Sequence, residues 1–157
     1  MTKTKKNIFY WSPALVDIAT NKSVINSIYS LNKFSNKYEC QLINFFGEFE
    51  RFREEINEKR INVINYFNKK LFLLLPKYGK IKSRFSFILI FLLGYLPLKN
   101  LLKKNKPDFL IIHLISSLPL FLLLFNKFET KFILRVSGLP HFNLFRKFLW
   151  KITLKKI

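Results

Sequence analysis

Short apolar runs rich in β-branched and aromatic residues alternate along this chain with longer segments of helical periodicity. Runs such as FLII and FIL are apolar throughout, which is typical of parallel strands buried on both faces. Strands that alternate with helices of ten or more residues build a parallel sheet covered by helices on both sides. The pattern therefore predicts an α/β fold, a Rossmann-like doubly wound parallel sheet in three layers.

Ten elements follow from this pattern. The predicted strands are Asn7–Trp11, Glu39–Phe45, Ile61–Phe67, Phe109–His113 and Lys131–Val136. The predicted helices begin at Thr20 or Asn21, at Phe49, at Ser83, at Ser116 or Ser117, and at His141. The third helix is long, reaches about Lys104, and is expected to kink at Pro97. At 157 residues, the chain is expected to form one domain over residues 1–157.

The charge balance is strongly basic, with 28 Lys and Arg against 9 Asp and Glu, a net charge of +19. Such an excess favours polyanionic partners, which means nucleic acid or an anionic membrane surface. A genome that favours codons for Lys, Asn, Ile and Phe would produce part of the same excess. The charge alone therefore does not separate these interpretations.

The chain gives few signs of secretion or membrane insertion. Cys40 is the single cysteine, so no internal disulfide is possible and a reducing cytosolic setting is expected. The N-terminus has a basic start, but Ser12-Pro13 and Asp17 interrupt its apolar part, which argues against a signal peptide. The apolar stretch Phe85–Leu98 is shorter than the ~20 residues of a spanning helix, and Phe109–Phe125 contains His, Ser and Pro. We expect both to be buried α/β elements, with one membrane span as the alternative.

Polar or small residues follow several predicted strands, and ligands bind outside the carboxyl ends of such sheets. The predicted cleft residues are Ser12, Asp17 and Thr20 after the first strand, Ser116 and Ser117 after the fourth, and Arg135, Ser137 and Gly138 at the fifth. His113 ends the fourth strand beside them. Two alternatives stay open: His113 as an ordinary buried histidine, and Arg135 paired with Asp17 or Asp108.

Several standard signatures are missing. WSPALVD follows the first strand where a dinucleotide site would have GxGxxG, and the chain has no P-loop, GxSxG elbow or His/Cys zinc cluster. We therefore predict neither a bound cofactor nor a metal. The carboxylates of Glu48, Glu50, Glu54, Glu55 and Glu58 lie on one short charged stretch. A glycosidase pair of acid and base across a cleft has no support from that arrangement.

Five stretches together resemble a known family: KNIFYWSP, YECQLINFFGEF, LPKYGKIKSR, KPDFLIIHLISSLP and KFILRVSGLPHFNLFRKFLWK. They are similar to the N-terminal domain of bacterial GT-B glycosyltransferases of family four, from about Asn7 to Trp150. The resemblance implies an acceptor-binding domain of an enzyme that transfers a sugar from a nucleotide-sugar to a glycan or lipid-linked acceptor. The nucleotide-sugar would be a substrate, bound mainly by a second domain, and no metal is implied.

The resemblance also bears on individual residues. His113 and the Ser116–Ser117 pair match the cleft loop after the fourth strand, so His113 is the candidate catalytic residue. Ser137–Gly138 occupies the loop where many relatives carry a histidine. The sequence ends at Ile157, where a linker into the donor domain would begin, and the resemblance places the E-x7-E donor motif in that second domain. We expect the chain to be inactive alone, with a separate donor-domain chain as a candidate partner.

A peripheral position on the inner face of the cell membrane is also implied by the resemblance, and a basic apolar segment agrees with it. The candidate membrane-surface cations are Lys69, Lys70, Lys77, Lys80, Lys82 and Arg84. The last helix has an apolar stripe with cations beside it, which suits a membrane surface or a core-facing helix equally. The rival interpretations are a basic module that binds nucleic acid, although no helix-turn-helix or RRM signature is present, and a small integral membrane protein.

Overall fold

The computed structural model describes residues 5–13, 19–67, 75–76, 80–115, 117–136 and 144–153. Its strands are β1 (Lys6–Trp11), β2 (Tyr38–Asn44), β3 (Val63–Asn65), β4 (Phe109–His113) and β5 (Lys131–Arg135). All five pair in parallel, in the order β3-β2-β1-β4-β5. The predicted Rossmann-like α/β fold is confirmed.

Helices cover both faces of this sheet. They are α1 (Ala19–Phe34), α2 (Arg53–Glu58), α3 (Lys80–Asn105), α4 (Ser117–Phe125) and α5 (Leu144–Thr153). A single 3₁₀ turn, Glu50–Phe52, precedes α2, so the predicted helix from Phe49 is a turn followed by a short helix. Each predicted helix is present, and the predicted and observed helices differ only in where they begin and end.

Alternation along β1 separates two apolar clusters. Ile8 and Tyr10 pack with α1 on one face, in a cluster that includes Val24 and Ile28 of that helix. Phe9 and Trp11 point to the other face and pack with residues of α3 and α4. Because successive side chains of a strand point to opposite faces, one apolar strand supplies both layers of the core.

The helix starts correct the predicted caps. Thr20 and Asn21 lie inside α1, which begins at Ala19, and Ser83 lies inside α3, which begins at Lys80. Asn21 is buried, and its side-chain oxygen accepts a hydrogen bond from the Ser12 hydroxyl, so a tertiary contact replaces the expected capping role. In α3, the Ser86 hydroxyl donates to the carbonyl oxygen of Pro76 (2.6 Å), which holds the first turns of the helix against the preceding segment.

The strand ends also differ by a few residues. β3 was predicted from Ile61 to Phe67 but contains only Val63–Asn65. The amide of Ile61 donates to the carbonyl oxygen of Ile56, so this residue closes the turn after α2 instead of joining the sheet. Local apolar alternation could not reveal this hydrogen bond.

The predicted length of α3 is confirmed, since the helix continues to Asn105 with Pro97 inside it. The segment Arg84–Asn105 has the length and apolar composition that a membrane span requires, although 33% of its most apolar part is buried against the protein. It is the one such helix among the described residues. Fully buried residues such as Ile90, Leu98 and Leu102 pack it into the core.

Gly94 lets α3 approach the sheet closely. A Cβ atom at this position would lie 3.3 Å from the Trp11 ring and 3.3 Å from a methyl group of Leu118. The Phe46 ring would lie 3.5 Å away. Each of these side chains belongs to the core, so little space exists for any group larger than hydrogen.

Replacing Gly94 by leucine tests this packing. We expect Gly94→Leu to lower the free energy of unfolding by about 1–3 kcal/mol, because overpacking displaces buried rings, despite the better helix propensity of leucine. Urea denaturation measures the change. Asn100→Leu, at an exposed position of the same helix, is the matched control and should not destabilise the protein. Equal stability of Gly94→Leu and the wild type would contradict the close approach.

Candidate functional site at the carboxyl edge of the sheet

The strand order creates a crevice beside β1. From β1 the chain builds outward to β2 and β3 on one side, and then returns to place β4 and β5 on the other. The connections after β1 and β4 therefore leave the sheet in opposite directions. Ligands of doubly wound sheets bind at this switch point, outside the carboxyl ends of the strands.

A cavity of about 210 Å³ lies at this edge of the sheet. Its walls are Thr20 from the first turn of α1, His113 and Leu114 at the end of β4, and Arg135 and Val136 at the end of β5. His113 and Arg135 are paired across the two strands. Three of the residues predicted from sequence are thus brought together.

A tight turn at Leu114 forms part of the cavity wall. Leu114 has a φ of 69°, a left-handed conformation that costs about 1–2 kcal/mol for a residue with a Cβ atom. Its amide donates to the carbonyl oxygen of Arg135 (3.3 Å), and the amide of Ile115 donates to that of His113 (2.8 Å). Strained backbone of this kind concentrates at binding and catalytic sites.

His113 is a buried residue of the cavity wall. Its side chain is 3% exposed, and neither ring nitrogen has a partner among the described residues. Burial, and secondarily the positive charge of Arg135, lower the pKa of His113 to about 4. The imidazole is therefore neutral near pH 7, with one nitrogen that donates and one that accepts. A buried polar ring with both nitrogens unused is suited to a polar ligand.

The other predicted cleft residues do not line the cavity or lie outside the described residues. Ser12 is fully buried, and its hydroxyl donates to Asn21 (3.0 Å), so it lies outside the cavity lining. Ser117 is the exposed first residue of α4 and does not line the cavity either. Asp17, Ser116, Ser137 and Gly138 lie outside the described residues.

The alternative that Asp108 pairs with Arg135 is wrong. Asp108 precedes β4, at the amino edge of the sheet, whereas Arg135 ends β5 at the carboxyl edge. The Asp108 carboxylate accepts a hydrogen bond from the amide of Asn7 (2.8 Å), and its carbonyl oxygen accepts one from the amide of Lys131. Its role is to join three strands at the opposite edge.

The predicted membrane-surface cations are only partly described. Lys82 and Arg84 are exposed near the start of α3, and Lys80 is its first residue. Lys69, Lys70 and Lys77 lie outside the described residues. In α5, Phe148 is exposed and Leu149 is buried, so the helix turns one side toward the core and leaves apolar surface on another.

Sequence reasoning missed the role of Glu48, which lies near the carboxyl ends of β1 and β2. In the sequence this carboxylate belongs to one short charged stretch, but in the structure Glu48 is 2% exposed. One oxygen accepts from the Trp11 indole (2.8 Å) and the other from the amide of Phe46 (2.7 Å). The only local signal is that Glu48 stands among aromatic residues in FFGEF, with Gly47 at a φ of 92° providing the turn.

Hydrogen bonds connect Glu48 to the crevice wall. The Asn21 side chain donates to the Glu48 carbonyl oxygen (3.5 Å) and accepts from Ser12 (3.0 Å). Because Asn21 follows Thr20 in α1, this network fixes the first turn of the helix against the ends of β1 and β2. Burial raises the pKa of Glu48, and hydrogen bonds from Trp11 and nearby amides act in the opposite direction. Glu48 is thus a positioning residue, since it does not line the cavity.

A second cavity of about 200 Å³ lies at the carboxyl ends of β2 and β3. Asn44, Asn65, Glu50 and Arg53 contribute its polar walls. The Asn44 side chain is already used, since it donates to Asn65 (3.0 Å) and accepts from the amide of Phe49 (3.2 Å). This satisfied network contrasts with the ring of His113, whose nitrogens have no hydrogen-bond partner in the part of the chain that the structure describes.

Metal and thiol chemistry find little support in the described part of the chain. Among residues 5–13, 19–67, 75–76, 80–115, 117–136 and 144–153, no group of three or more His, Cys, Asp or Glu residues comes together. Cys40 is buried in β2, and burial, with the nearby charge of Glu39, raises its pKa to about 11. A thiol that stays protonated is a poor nucleophile and a poor ligand.

In comparisons with known proteins, no protein-family model, no curated protein and no solved structure matches this chain. What is established is the class: an α/β protein with a Rossmann-like parallel sheet and a polar crevice at its switch point.

Removing the Glu48 carboxylate should destabilise the fold. We expect Glu48→Ala to lower the free energy of unfolding by about 2–5 kcal/mol, because the Trp11 indole and the Phe46 amide become buried donors without acceptors. Glu48→Gln keeps one acceptor and should cost about 1–3 kcal/mol. Chemical denaturation provides the measurement. The matched control is Glu54→Ala at an exposed position, whose free energy of unfolding should lie within about 0.5 kcal/mol of the wild type. An equally small change in Glu48→Ala would rule out the buried network.

The buried His113 should make stability depend on pH. Its pKa in the fold, about 4, lies below the ordinary 6.5, so the unfolded chain binds more protons between these values. The stabilisation is complete above pH 6.5 and is lost as the pH falls toward 4, a change of about 3 kcal/mol. The measured quantity is the difference in unfolding free energy between wild type and His113→Gln at pH 7.5 and 4. Glu48 is common to both proteins, so its titration cancels; a difference independent of pH would contradict a neutral buried His113.

Proposed function

We propose that this domain binds the acceptor of a sugar transfer, a glycan or lipid-linked glycan, in the crevice at the carboxyl ends of β1, β4 and β5. The observation that carries the proposal is the convergence of Thr20, His113 and Arg135 on one cavity at the switch point. These three residues offer a hydroxyl, a neutral imidazole and a guanidinium. Hydroxyl-rich and phosphorylated ligands are recognised by such groups.

Arg135 is the group that selects an anion. Its guanidinium is permanently charged and presents donors in a fork that matches the oxygens of a phosphate. It ends β5 on the exposed side of the cavity wall, where a ligand reaches it from solvent. A lipid-linked acceptor carries phosphate next to its first sugar, so one ligand would satisfy both the cation and the neutral polar groups.

His113 is suited to hold an acceptor hydroxyl. With a pKa of about 4 it is a weak general base in the free protein, because a catalytic base works best with a pKa near the operating pH. An anionic ligand bound to Arg135 would offset one of the two causes that lower this pKa. Binding would then raise the basicity of the imidazole next to the hydroxyl, which couples ligand charge to a catalytic role for His113.

The dimensions of the cavity support a small ligand group. Its volume, about 210 Å³, is below the ~300–1,000 Å³ of typical ligand pockets, so a sugar ring or a phosphate suits it better than a whole nucleotide-sugar. The resembling family carries its E-x7-E donor motif in a second domain. We therefore propose that the donor binds elsewhere, on a second domain or a separate donor-domain chain, and that these 157 residues do not transfer sugar by themselves.

Titration with a hexose 1-phosphate, followed by NMR of the histidine side chains, tests the site. We expect binding to raise the pKa of His113, because the phosphate offsets the charge of Arg135. Arg135→Gln should weaken binding about tenfold or more, the loss of a charge-assisted hydrogen bond. Arg53→Gln, in the cavity at β2 and β3, is the matched control and should bind as the wild type does. His141→Gln assigns the two histidine signals.

Three results would overturn the proposal. Equal losses in Arg135→Gln and Arg53→Gln would show non-specific attraction to a basic protein. If inorganic phosphate binds as tightly as the hexose phosphate, the site does not recognise the sugar. Sugar transfer by the isolated chain, supplied with nucleotide-sugars and a lipid-linked acceptor, would disprove the separate donor domain.

A further inference from the structure

Helix α3 has two apolar faces, although only one of them packs against the sheet. The inner face includes Ile90, Leu98 and Leu102, each no more than 1% exposed, and Gly94 lies against the Trp11 ring. An amphipathic helix of a water-soluble protein usually turns a polar face outward. In α3, the outward face is apolar as well.

Four large side chains form a continuous stripe on that outward face, which we call the α3 stripe. They are Phe85, Ile88, Leu92 and Leu96, and they are 54–61% exposed. Their spacing of three, four and four residues places them one above the other along three turns of the helix. At 100° per residue, the stripe lies opposite the buried face.

Isolated exposed apolar residues need no explanation, but a contiguous stripe does. Phe34 at the end of α1 and Phe125 at the end of α4 are single exposed side chains at helix ends. The α3 stripe instead occupies the middle of a 26-residue helix. Apolar surface of this continuity marks a contact with a partner or a membrane.

The charges around the stripe identify the partner. Residues 59–107 contain twelve Lys and Arg and no Asp or Glu. Two exposed cations, Lys82 and Arg84, precede the stripe in α3. Beyond Leu96, Lys99 and the exposed Lys103 continue on the side of the helix that carries the stripe. Basic residues at both ends of an apolar stripe match an anionic membrane surface, which offers phosphates above hydrocarbon.

The geometry points to a helix that lies in the membrane interface without crossing the bilayer. Although Arg84–Asn105 is long enough to span, its inner face is part of the core of the sheet, and crossing would remove Ile90, Leu98 and Leu102 from that core. We propose that α3 lies parallel to an anionic bilayer and inserts Phe85, Ile88, Leu92 and Leu96 into it. This proposal is independent of the proposed function of the crevice.

The direction of α3 relates the stripe to the crevice. The C-terminus of α3 leads into the amino end of β4, so the helix runs from the carboxyl edge of the sheet to the amino edge. Gly94 contacts Trp11, the last residue of β1. Phe85 is nine residues earlier, and at about 1.5 Å per residue it lies roughly 13 Å beyond that contact, on the side of the crevice. The stripe therefore extends beyond the carboxyl edge of the sheet, and the membrane would cover the outer face of α3 next to the crevice.

Flotation with vesicles tests the proposal on the full chain. Vesicles of phosphatidylcholine with 30% phosphatidylglycerol should bind the wild type, and vesicles of phosphatidylcholine alone should bind it less. The double variant Ile88→Ser/Leu92→Ser should lower the partition coefficient about tenfold or more, since two inserted side chains are lost. Phe34→Ser removes a side chain that is 76% exposed, at the end of a helix on the opposite face of the sheet, and should bind as the wild type does.

A second measurement does not depend on the folding of the serine variant. Leu92→Trp keeps an apolar side chain in the stripe and adds a fluorophore whose emission should shift to shorter wavelength on anionic vesicles. Lipids brominated on their acyl chains should quench this emission more than that of the wild type, whose two tryptophans are the buried Trp11 and the half-buried Trp150. Absence of a shift and of added quenching, with vesicles bound, would show that the stripe stays outside the bilayer.

The remaining outcomes would assign the α3 stripe to a different partner or arrangement. Resistance of bound protein to extraction by alkaline carbonate would mean that α3 crosses the membrane, contrary to the proposal. A lipid-free dimer that dissociates in Ile88→Ser/Leu92→Ser would assign the stripe to contact between two copies. Binding to DNA that is lost in the same double variant would assign it to nucleic acid. Equal flotation of the double variant and the wild type would leave only charge as the cause of vesicle binding.

Discussion

β1 is hydrogen-bonded to a parallel strand on each side, and the rest of the fold depends on this central position. A strand paired at both edges has its backbone satisfied, so its side chains can be apolar on both faces. Helices must then cover both faces, with α1 on one and α3 and α4 on the other. The same pairing sends the connections after β1 and β4 in opposite directions, which produces the crevice.

Buried polar groups near that crevice fall into two kinds. Every oxygen of Glu48 accepts a hydrogen bond: the two carboxylate oxygens accept from the Trp11 indole and the Phe46 amide, and the carbonyl oxygen accepts from the Asn21 side chain. His113 is the reverse, with neither ring nitrogen bonded among the described residues. A satisfied network stabilises the scaffold, whereas an unsatisfied group retains its capacity to bind. The distinction separates a positioning residue from a candidate binding residue at the same edge of the sheet.

The two proposals concern neighbouring surfaces of this molecule. The crevice offers polar groups and one guanidinium for a small anionic or hydroxylated ligand. The α3 stripe offers apolar surface within a segment that carries only positive charge. A membrane beside the crevice would bring a lipid-linked ligand to Arg135 and His113 without its leaving the bilayer surface. Each proposal stands on its own contacts, so one of them can fail without the other.

Local sequence patterns determined the class of fold, the number of strands and the placement of His113 and Arg135 at strand ends. Alternation of apolar residues and helical spacing are properties of neighbouring residues, so a single sequence reveals them. The sequence did not disclose the burial of Glu48, the pairing of Asp108 with Asn7 or the exposed stripe on α3. Trp11 and Glu48 are 37 residues apart, and Asn7 and Asp108 are 101 apart. Only the tertiary structure decides such contacts, because the free energy of a buried charge or an exposed leucine depends on which distant segments pack beside it.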